Sequence, residues 1–471
     1  MTLCRTATLA AAVLAIALAG CATRPVDWRT TPPADVASCL NDFAVVDQAV
    51  AKAGVGDAQS ARVPGFPYLR VSRFLASFRD EAAGAAFDAW VGHLAALDAQ
   101  ARTMELANLG IAPVPLSRLE ACRALLIRHD LASAPGREAL RKAMRVPDGY
   151  VDGRRLLGLY PLTAPLVAWG HWRWRQQTIT HIQNNAYSPK GRWTVYRPVA
   201  DPAPLPPAWA VDVLGVLDIS PAGADALLAA HAPVLRVDTL SAADRVGAVG
   251  WRDGQPTVTG EPVAYTLISH TRFRGQVLVQ LVYVFWFPER PKQGSLDLLG
   301  GALDGLIWRV TLDGGGQPLV YDAIHPCGCY HLFFPRPDLR RRDKWSIYHE
   351  GATTPASAPA LATGERIVIT LAAASHYIRG IGVTSDLIGT PYTLRPYDGL
   401  RSLQGENGRR SLFAPDGLVK GTERPERHLF WPMGIRSAGA MRQWGHHATA
   451  FVGKRHFDDP YLLETTFGAT P

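Results

Sequence analysis

One short segment concentrates side chains that bind metals or act as nucleophiles. Residues 325–331 read HPCGCYH, which places two histidines and two cysteines at alternate positions. Alternate residues of a β-strand share one face, so on a strand the two imidazoles and two sulfurs would line the same side. At about 3.3 Å per residue, His325 and His331 would lie about 20 Å apart. A single ion therefore requires a bend, for which Pro326 and Gly328 are suited, or binds only two or three of the four donors.

Several kinds of chemistry stay open for this segment. Sulfur and imidazole ligands together suit zinc or copper, and zinc holds such ligands at about 2.0–2.3 Å. Further donors could come from a second group near the C-terminus, which comprises His446, His447, His456, Asp458 and Asp459. Without a metal, Cys327 and Cys329 could form a disulfide across Gly328 or pack as two inert thiols. Alternatively, Cys329 could be a catalytic thiolate with a histidine as base.

The segment lies in a region whose pattern is typical of β-strands. Runs rich in β-branched and aromatic residues alternate with clusters of Gly, Pro and Asp from residue 211 onward. We expect strands at Val211–Ile219, Val263–His270, Val277–Phe287, Leu306–Leu312, Leu319–Ile324, Arg366–Ala372 and His376–Val383. Val277–Phe287 is apolar at every position except Gln280, which indicates a central strand covered on both faces. The pattern predicts an antiparallel, sandwich or barrel-like β-rich domain over residues 209–471.

A helical region precedes the strands. Apolar residues recur at three- and four-residue spacing between Asp80, a suitable N-cap, and Gly110, a suitable helix stop. Residues 156–178 are apolar and rich in tryptophan. We favour a kinked core helix whose ends pack on the second domain over a helix that lies at a membrane interface. Residues 187–208 hold six prolines and predict a linker. The expected fold class is α+β, with a helical domain over residues 37–186 followed by the β-rich domain.

The first residues predict export and a lipid anchor. Residues 1–20 carry one charge, Arg5, and an apolar run at Leu9–Leu18 that is shorter than the ~20 residues of a spanning helix. The stretch that ends at Cys21, LAGC, resembles the lipobox of bacterial lipoproteins. This resemblance, confined to residues 1–21, implies a cleaved signal peptide and a Cys21 that carries palmitate-type acyl chains. Ala22 in place of Asp implies the outer membrane, with the body facing the periplasm.

The implied compartment bears on the remaining cysteines. In an oxidising environment the simplest pairing in the helical region is a disulfide between Cys39 and Cys122. The same argument favours a disulfide over a metal for Cys327 and Cys329, by a narrow margin. Residues 21–36 are rich in Pro and Thr without periodicity, and predict a lipidated tether.

Composition excludes some classes of function. The 49 basic residues exceed the 41 acidic ones and give a net charge of +8. They are nearly all arginine, and their clusters are short and outside any nucleic-acid-binding motif, which argues against nucleic acid as a partner. The sequence has no G-x-S-x-G elbow, P-loop, G-x-G-x-x-G after a strand, C-x-x-C-H or H-E-x-x-H. Their absence argues against lipases, nucleotide enzymes, c-type cytochromes and common zinc proteases.

Two functional hypotheses follow from the sequence. The favoured one is a membrane-anchored periplasmic lipoprotein that is not an enzyme and binds another envelope component or serves a structural role. Its partners would be membrane lipid, through acylated Cys21, and that component. The alternative is an envelope enzyme that depends on a metal, zinc or copper, or on a thiol of the His325, Cys327, Cys329 and His331 cluster. The sequence does not decide whether the chain is an enzyme.

Overall fold

The computed structural model describes residue 29 and residues 31–199 and 209–469. The predicted signal peptide, Cys21 and most of the predicted tether therefore lie outside the described residues, as does the second half of the predicted linker. None of the described helices is both long and apolar enough to cross a membrane.

The N-terminal part is mainly helical, as expected, and also contains a short β-hairpin. Its helices are α1 (Ala34–Ala53), α2 (Arg73–Ala76), α3 (Ala85–Leu109), α4 (Leu116–Asp130), α5 (Ala134–Ala143), α6 (Asp152–Leu157) and α7 (Tyr160–Gln183). The hairpin consists of β1 (Ala61–Val63) and β2 (Phe66–Val71). Helix α3 ends at Gly110 as predicted, because this residue adopts a φ of +76° that favours glycine. It begins after Gly84 rather than directly after Asp80.

A disulfide and a buried ionic cluster hold the helical part together. Cys39 of α1 and Cys122 of α4 form the predicted disulfide, with their Cα atoms 5.1 Å apart. Arg70 of β2 is fully buried and donates to Glu105 of α3 at 2.6 Å. Arg102, one turn before Glu105, is buried beside the same carboxylate at 3.2 Å. Because these charges are paired inside the core, they restrict how β2 and α3 can pack.

The C-terminal part is rich in β-structure, which confirms the predicted α+β fold class. Ten strands form one mixed sheet, ordered β11 (Leu332–Pro335), β10 (Pro318–Ile324), β9 (Gly301–Leu312), β8 (Gln276–Arg290), β7 (Val263–Phe273), β15 (Thr390–Pro396), β3 (Arg192–Pro198), β4 (Val234–Thr239), β13 (Arg366–Leu371) and β14 (Ile378–Thr384). Pairing is antiparallel except for β7–β15, β15–β3 and β4–β13, which are parallel. Strand β8 lies inside the sheet and is buried on both faces along most of its length, as its apolar run predicts.

Shorter elements complete this part. They are helices α8 (Pro221–His231), α9 (Arg427–Phe430) and α10 (Leu462–Thr466) and strands β5 (Val249–Arg252), β6 (Gln255–Val258), β12 (Leu339–Arg341), β16 (Leu403–Gly405), β17 (Gly408–Arg410) and β18 (Phe467–Ala469). Strands β5 and β6, β12 and β18, and β16 and β17 pair as two-stranded sheets.

Two local expectations differ from the structure. Strand β3 lies within the predicted linker 187–208, because its aromatic and β-branched residues pair with β4 before the proline-rich stretch begins. The expected strand at Val211–Ile219 is instead a tight turn. Asp212 Oδ1 accepts from the backbone N–H groups of Leu214 and Val216, and Gly215 adopts a φ of +79°. An aspartate that caps its own turn outweighs the β propensity of the neighbouring valines.

Helix α7 is less buried than the core helix expected there, although Trp174 in its second half packs on Tyr330 of the β-rich part. Its buried positions are small or polar for most of its length, and include Ala164 and Ala168. Its large side chains point outward: Leu162, Leu166 and Trp169 are 70%, 72% and 58% exposed. The small residues allow α7 to approach the body closely, and the large apolar residues form an outer surface.

Candidate functional site

The segment 325–331 is a tight turn between β10 and β11 rather than a continuous strand. The carbonyl oxygen of His325 accepts from the N–H of Gly328 at 2.7 Å, and the N–H of His325 donates to the carbonyl of Cys329 at 3.0 Å. Gly328 has a φ of +89°, and a Cβ there would lie 2.5 Å from the carbonyl oxygen of Ala448. Both its conformation and this close approach require glycine. The bend that a shared site would need is therefore present.

The bend does not bring the two histidines to a common point. His325 Nδ1 lies 3.1 Å from Asp304, and His331 Nε2 lies 2.9 Å from Asp322. Burial lowers the pKa of both imidazoles, to about 3 for His331, despite the carboxylates. Within the described part of the chain, the one group of three donors close enough to hold an ion is Cys39, Asp42 and Cys122, whose sulfurs form the disulfide. The structure thus does not assemble the four predicted donors into one ligand set.

Cys327 and Cys329, in contrast, lie together as two buried free thiols. The N–H of Cys329 donates to Cys327 Sγ at 3.4 Å. Burial raises the pKa of Cys327, but the hydrogen bond from the Cys329 thiol and the charge of Arg424 outweigh it, so the pKa is lowered. The same hydrogen bond, with burial, raises the pKa of Cys329. The backbone N–H of Cys329 favours the thiolate form of Cys327, so Cys327 is the more acidic of the two thiols.

The two thiols line a cavity of about 590 Å³. Its walls are mostly apolar and come from the inner side of α7, the 325–331 turn and segments at 426–439 and 448–455; they include Val167, Trp174, Phe430, Met433, Ile435 and Phe451. Aromatic contacts fix α7 above the turn, since the rings of Trp174 and Tyr330 are centred 5.3 Å apart. Tyr330 in turn packs edge-on against Tyr377 at 4.5 Å. The cavity is thus built where the helical and β-rich parts meet.

A few polar groups face this apolar space. Burial raises the pKa of Glu426 to about 7, although Arg424, Arg290 and Arg442 oppose the shift. Glu350 is held by the N–H groups of Phe451 and Val452, both at 2.9 Å. The second oxygen of Glu350 lies 3.7 Å from Nε2 of His171. The cavity therefore offers a carboxyl group that can hold a proton near neutral pH and, separately, a contact between Glu350 and His171, whose pKa is lowered by burial.

The second predicted donor group is dispersed. His446 Nε2 lies 2.7 Å from the carbonyl oxygen of Ala58, and His456 accepts from the N–H of Gly149 at 3.0 Å. Asp458 pairs with Arg73 at 2.9 Å. His447 is buried, which lowers its pKa to about 3. These residues join loops to the helical part, which accounts for their polar character.

Sequence reasoning missed the polar residues that surround the turn. Asp304 accepts from His325 and also from His376, at 2.9 Å, and Arg424 lies 3.7 Å away. Glu350 and Glu426 stand in loops with no repeated spacing, so no local pattern relates them to residues 325–331. One signal was present: Asp304 lies two residues before the predicted strand Leu306–Leu312, and a charge that is buried there requires a partner.

No known protein family, curated protein or solved structure matches this chain.

Proposed function

We propose that this chain is an outer-membrane lipoprotein, anchored through Cys21 and facing the periplasm, that binds an acyl chain in the cavity beneath α7. The observation that carries the proposal is the cavity itself. Its volume of about 590 Å³ falls within the ~300–1,000 Å³ of small-molecule sites, which combine apolar walls with a few polar groups. A buried space of this size lined by Val167, Phe430, Met433 and Phe451 favours an apolar ligand.

The polar groups in the cavity favour a ligand with one polar end. Glu426 is 4% exposed, and His171 lies beside Glu350. An unpaired polar group in such surroundings costs free energy, whereas a hydroxyl, amide or amine on the ligand would satisfy it. A chain that places its polar end at Glu426 or His171 and its hydrocarbon along α7 would match both kinds of wall. Lipids and acylated molecules of the envelope have this form.

The outer surface around the cavity supports a ligand that comes from the membrane. Leu166, Trp169 and Leu429 line the cavity and are also 72%, 58% and 58% exposed. The apolar surface continues over α6 and the end of α7, with Leu156 and Leu157 more than three-quarters exposed. Contiguous apolar surface of this kind marks binding to a membrane or a partner. We choose the membrane as occupant because the proposed anchor already holds the body at a bilayer.

Basic residues are placed to complement anionic headgroups. The guanidinium of Arg173 lies 4.9 Å from the centre of the Trp169 ring, an arrangement that combines an interfacial aromatic side chain with a cation. Arg154 and Arg155 lie on α6, directly before Leu156 and Leu157 in sequence, and donate to the backbone carbonyls of Ile435 and Met433. A single interfacial helix binds weakly, but a lipid anchor raises its effective concentration at the bilayer. The surface and the anchor would thus act together.

Ligand binding is tested by filling the cavity at Gly170. This residue lines the cavity, and a Cβ there meets no atom within 4 Å. We expect full-length protein in mild detergent to bind a fluorescent long-chain fatty acid, and Gly170→Trp to weaken binding at least about tenfold by occupying the space of the chain. The measurement is fluorescence titration, with native mass spectrometry of lipid that copurifies with the protein.

Gly92→Trp is the matched control, because Gly92 also lies in a long helix, α3, with no atom within 4 Å of a Cβ. It should bind the fatty acid as the unmodified protein does. Absence of saturable binding by the unmodified protein, or equal weakening by both variants, would contradict the proposal.

The anchor is tested separately in cells. Metabolic labelling with a clickable palmitate analogue should label the chain, and Cys21→Ser should abolish the label and release the protein from the outer-membrane fraction. A Cys39→Ser variant, which removes a different cysteine, should keep the label. Label that persists in Cys21→Ser would exclude this cysteine as the acylated residue.

A further inference from the structure

The two thiols in the cavity wall are distinct from an ordinary pair of core cysteines. Cys327 and Cys329 are only 4% and 8% exposed, yet both border the cavity, so a small molecule inside it can reach them. The turn around Gly328 brings them together, and the backbone N–H of Cys329 donates to Cys327 Sγ at 3.4 Å. Packing alone does not require two neighbouring thiols at the border of an open space.

Two arginines, Arg424 and Arg442, and one carboxyl group, Glu426, act on this pair. Arg442 is 3% exposed and donates from Nε to the carbonyl oxygen of Cys327 at 2.9 Å. Its Nη2 donates to the carbonyls of Arg436 and Ser437, both at 2.8 Å. Among the residues that the structure describes, no carboxylate forms an ion pair with this guanidinium. This buried positive charge favours a thiolate nearby, whereas the charge of Glu426 opposes it and acts to raise the pKa of both thiols.

We propose that Cys327 and Cys329 form a redox-active dithiol that exchanges with an apolar disulfide entering the cavity, with Cys327 as the attacking sulfur and Cys329 as the resolving sulfur. The order follows from the backbone N–H of Cys329, which donates to Cys327 Sγ at 3.4 Å and favours the thiolate of that sulfur. The proposal uses the access provided by the cavity of the proposed function, but does not require an acyl ligand.

The reaction is a two-step exchange with a disulfide RSSR. The Cys327 thiolate displaces one sulfur of RSSR, forms a mixed Cys327–SR disulfide and releases RS⁻, which takes up the proton that Cys327 has lost. The Cys329 sulfur then attacks Cys327 and displaces the second RS⁻, which takes up the proton of Cys329. One RSSR is reduced by two electrons to two RSH, and the two thiols are oxidised to one Cys327–Cys329 disulfide.

The experiment uses full-length protein and two probes, 2,2′-dithiodipyridine as the apolar disulfide and oxidised glutathione as the charged one. Reaction is quenched with a maleimide, and the redox state of the peptide that contains Cys327 and Cys329 is determined by mass spectrometry. We expect this peptide to gain an internal disulfide, faster with the apolar probe, and to return to two thiols with dithiothreitol. The Cys39–Cys122 disulfide in the same sample serves as the control for folded protein.

Single-cysteine variants distinguish the two roles. Cys329→Ser should accumulate the mixed disulfide on Cys327, whereas Cys327→Ser should react at least about tenfold more slowly because the sulfur with the higher pKa remains. Thermal melting of both variants shows whether they fold. The proposal is overturned if both thiols of the folded, unmodified protein stay alkylatable after exposure to the apolar probe, or if the two variants react at equal rates.

A competition experiment with fatty acid distinguishes this proposal from the proposed binding of an acyl chain. Saturating fatty acid should slow the reaction of Cys327 with dithiodipyridine, since both would occupy the same cavity. If the thiols exchange as described but fatty acid gives no protection, the redox site stands and the acyl-chain proposal fails. If fatty acid binds and the thiols are inert, the reverse holds.

Discussion

Helices α3 and α7 are nearly equal in length, with 25 and 24 residues, and use their apolar side chains in opposite ways. Helix α3 buries Phe87, Trp90 and Leu94 against the hairpin and neighbouring helices. Helix α7 buries Ala164 and Ala168 and leaves Leu162, Leu166, Trp169 and Trp172 at the surface. Composition alone would assign both helices to a core.

The difference separates a helix that stabilises the fold from one available for binding. In α3 even the polar positions are used internally, since Asp98, Arg102 and Glu105 are fully buried in ion pairs. In α7 the inward face borders an open cavity and the outward face has no partner among the described residues. Exposed apolar surface gains nothing for the stability of the monomer, so its retention indicates a role outside the fold.

Breaking the ionic cluster of α3 should produce the largest effect on stability. Arg70→Met keeps the length of the side chain but removes the charge that faces Glu105 at 2.6 Å. The carboxylate of Glu105 then stays buried with only its longer contact to Arg102 in the core. We therefore expect the free energy of unfolding to fall by about 3–5 kcal/mol. Chemical denaturation monitored by circular dichroism measures the change.

Arg173→Met on α7 is the matched control. Its guanidinium contacts the exposed Trp169 ring, so its loss should change the free energy of unfolding by less than about 1 kcal/mol. Equal effects of the two substitutions would show that the cluster beside α3 does not stabilise the fold as argued.

The carboxyl group of Glu426 beneath α7 should make stability depend on pH. Glu105 of α3 forms an ion pair with Arg70. Beneath α7, burial raises the pKa of Glu426 from 4.5 to about 7. Between pH 4.5 and about 7, Glu426 is therefore protonated in the folded state and ionised in the unfolded state. This contribution to stability is present below pH 4.5 and is lost as the pH rises to about 7. The full change amounts to about 3 kcal/mol.

The comparison variant is Glu426→Gln, which cannot titrate. We expect the free energy of unfolding of the unmodified protein to fall between pH 4.5 and 7 relative to that of Glu426→Gln, in denaturation curves measured at half-unit intervals. Glu138→Gln, at an exposed position, should follow the unmodified protein. Parallel curves for all three proteins would contradict a raised pKa at Glu426.

The parts of the fold that sequence predicted well are those with a regular local pattern. The spacing of Phe87, Trp90 and Leu94 predicted α3, and the apolar run at Val277–Phe287 predicted the buried central strand β8. The pairing of Cys39 with Cys122 followed from the implied compartment and simple pairing, and the structure contains it. Periodicity is a property of a short segment, and the cysteines allow only a few pairings, so both can be predicted from the sequence.

The site was less predictable because it depends on contacts distant in sequence. The sequence identified the 325–331 segment as a candidate site. The additional donors expected near the C-terminus are not the residues that contact it. Glu426 and Arg442 reach the turn from about 100 residues away, and the histidines are held by Asp304 and Asp322. The orientation of α7 was also missed, because an apolar stripe indicates that one face is covered without stating by what. Small residues opposite the stripe, Ala164 and Ala168, were the overlooked signal.

Polar substitutions on the outer face of α7 provide the most specific test of its contrast with α3. The triple change Leu162→Asn, Leu166→Asn and Trp169→Gln affects side chains that are more than half exposed, so the melting temperature should change little. If these side chains insert into a bilayer, each loses an apolar transfer free energy of about 1 kcal/mol or more, and binding to anionic phospholipid vesicles should weaken by about a hundredfold. Vesicle flotation on a Cys21→Ser background, which lacks the proposed acylation site, isolates the contribution of the surface.

Leu94→Asn on α3 completes the comparison, because it applies the same chemistry to a buried leucine. It should destabilise the protein by several kcal/mol through an unsatisfied amide in the core and should leave vesicle binding of the remaining folded protein unchanged. The two helices would then respond in opposite ways to the same kind of substitution. Vesicle binding that persists in the α7 triple variant would instead assign its apolar face to a protein partner, since the exposed stripe would still require an occupant.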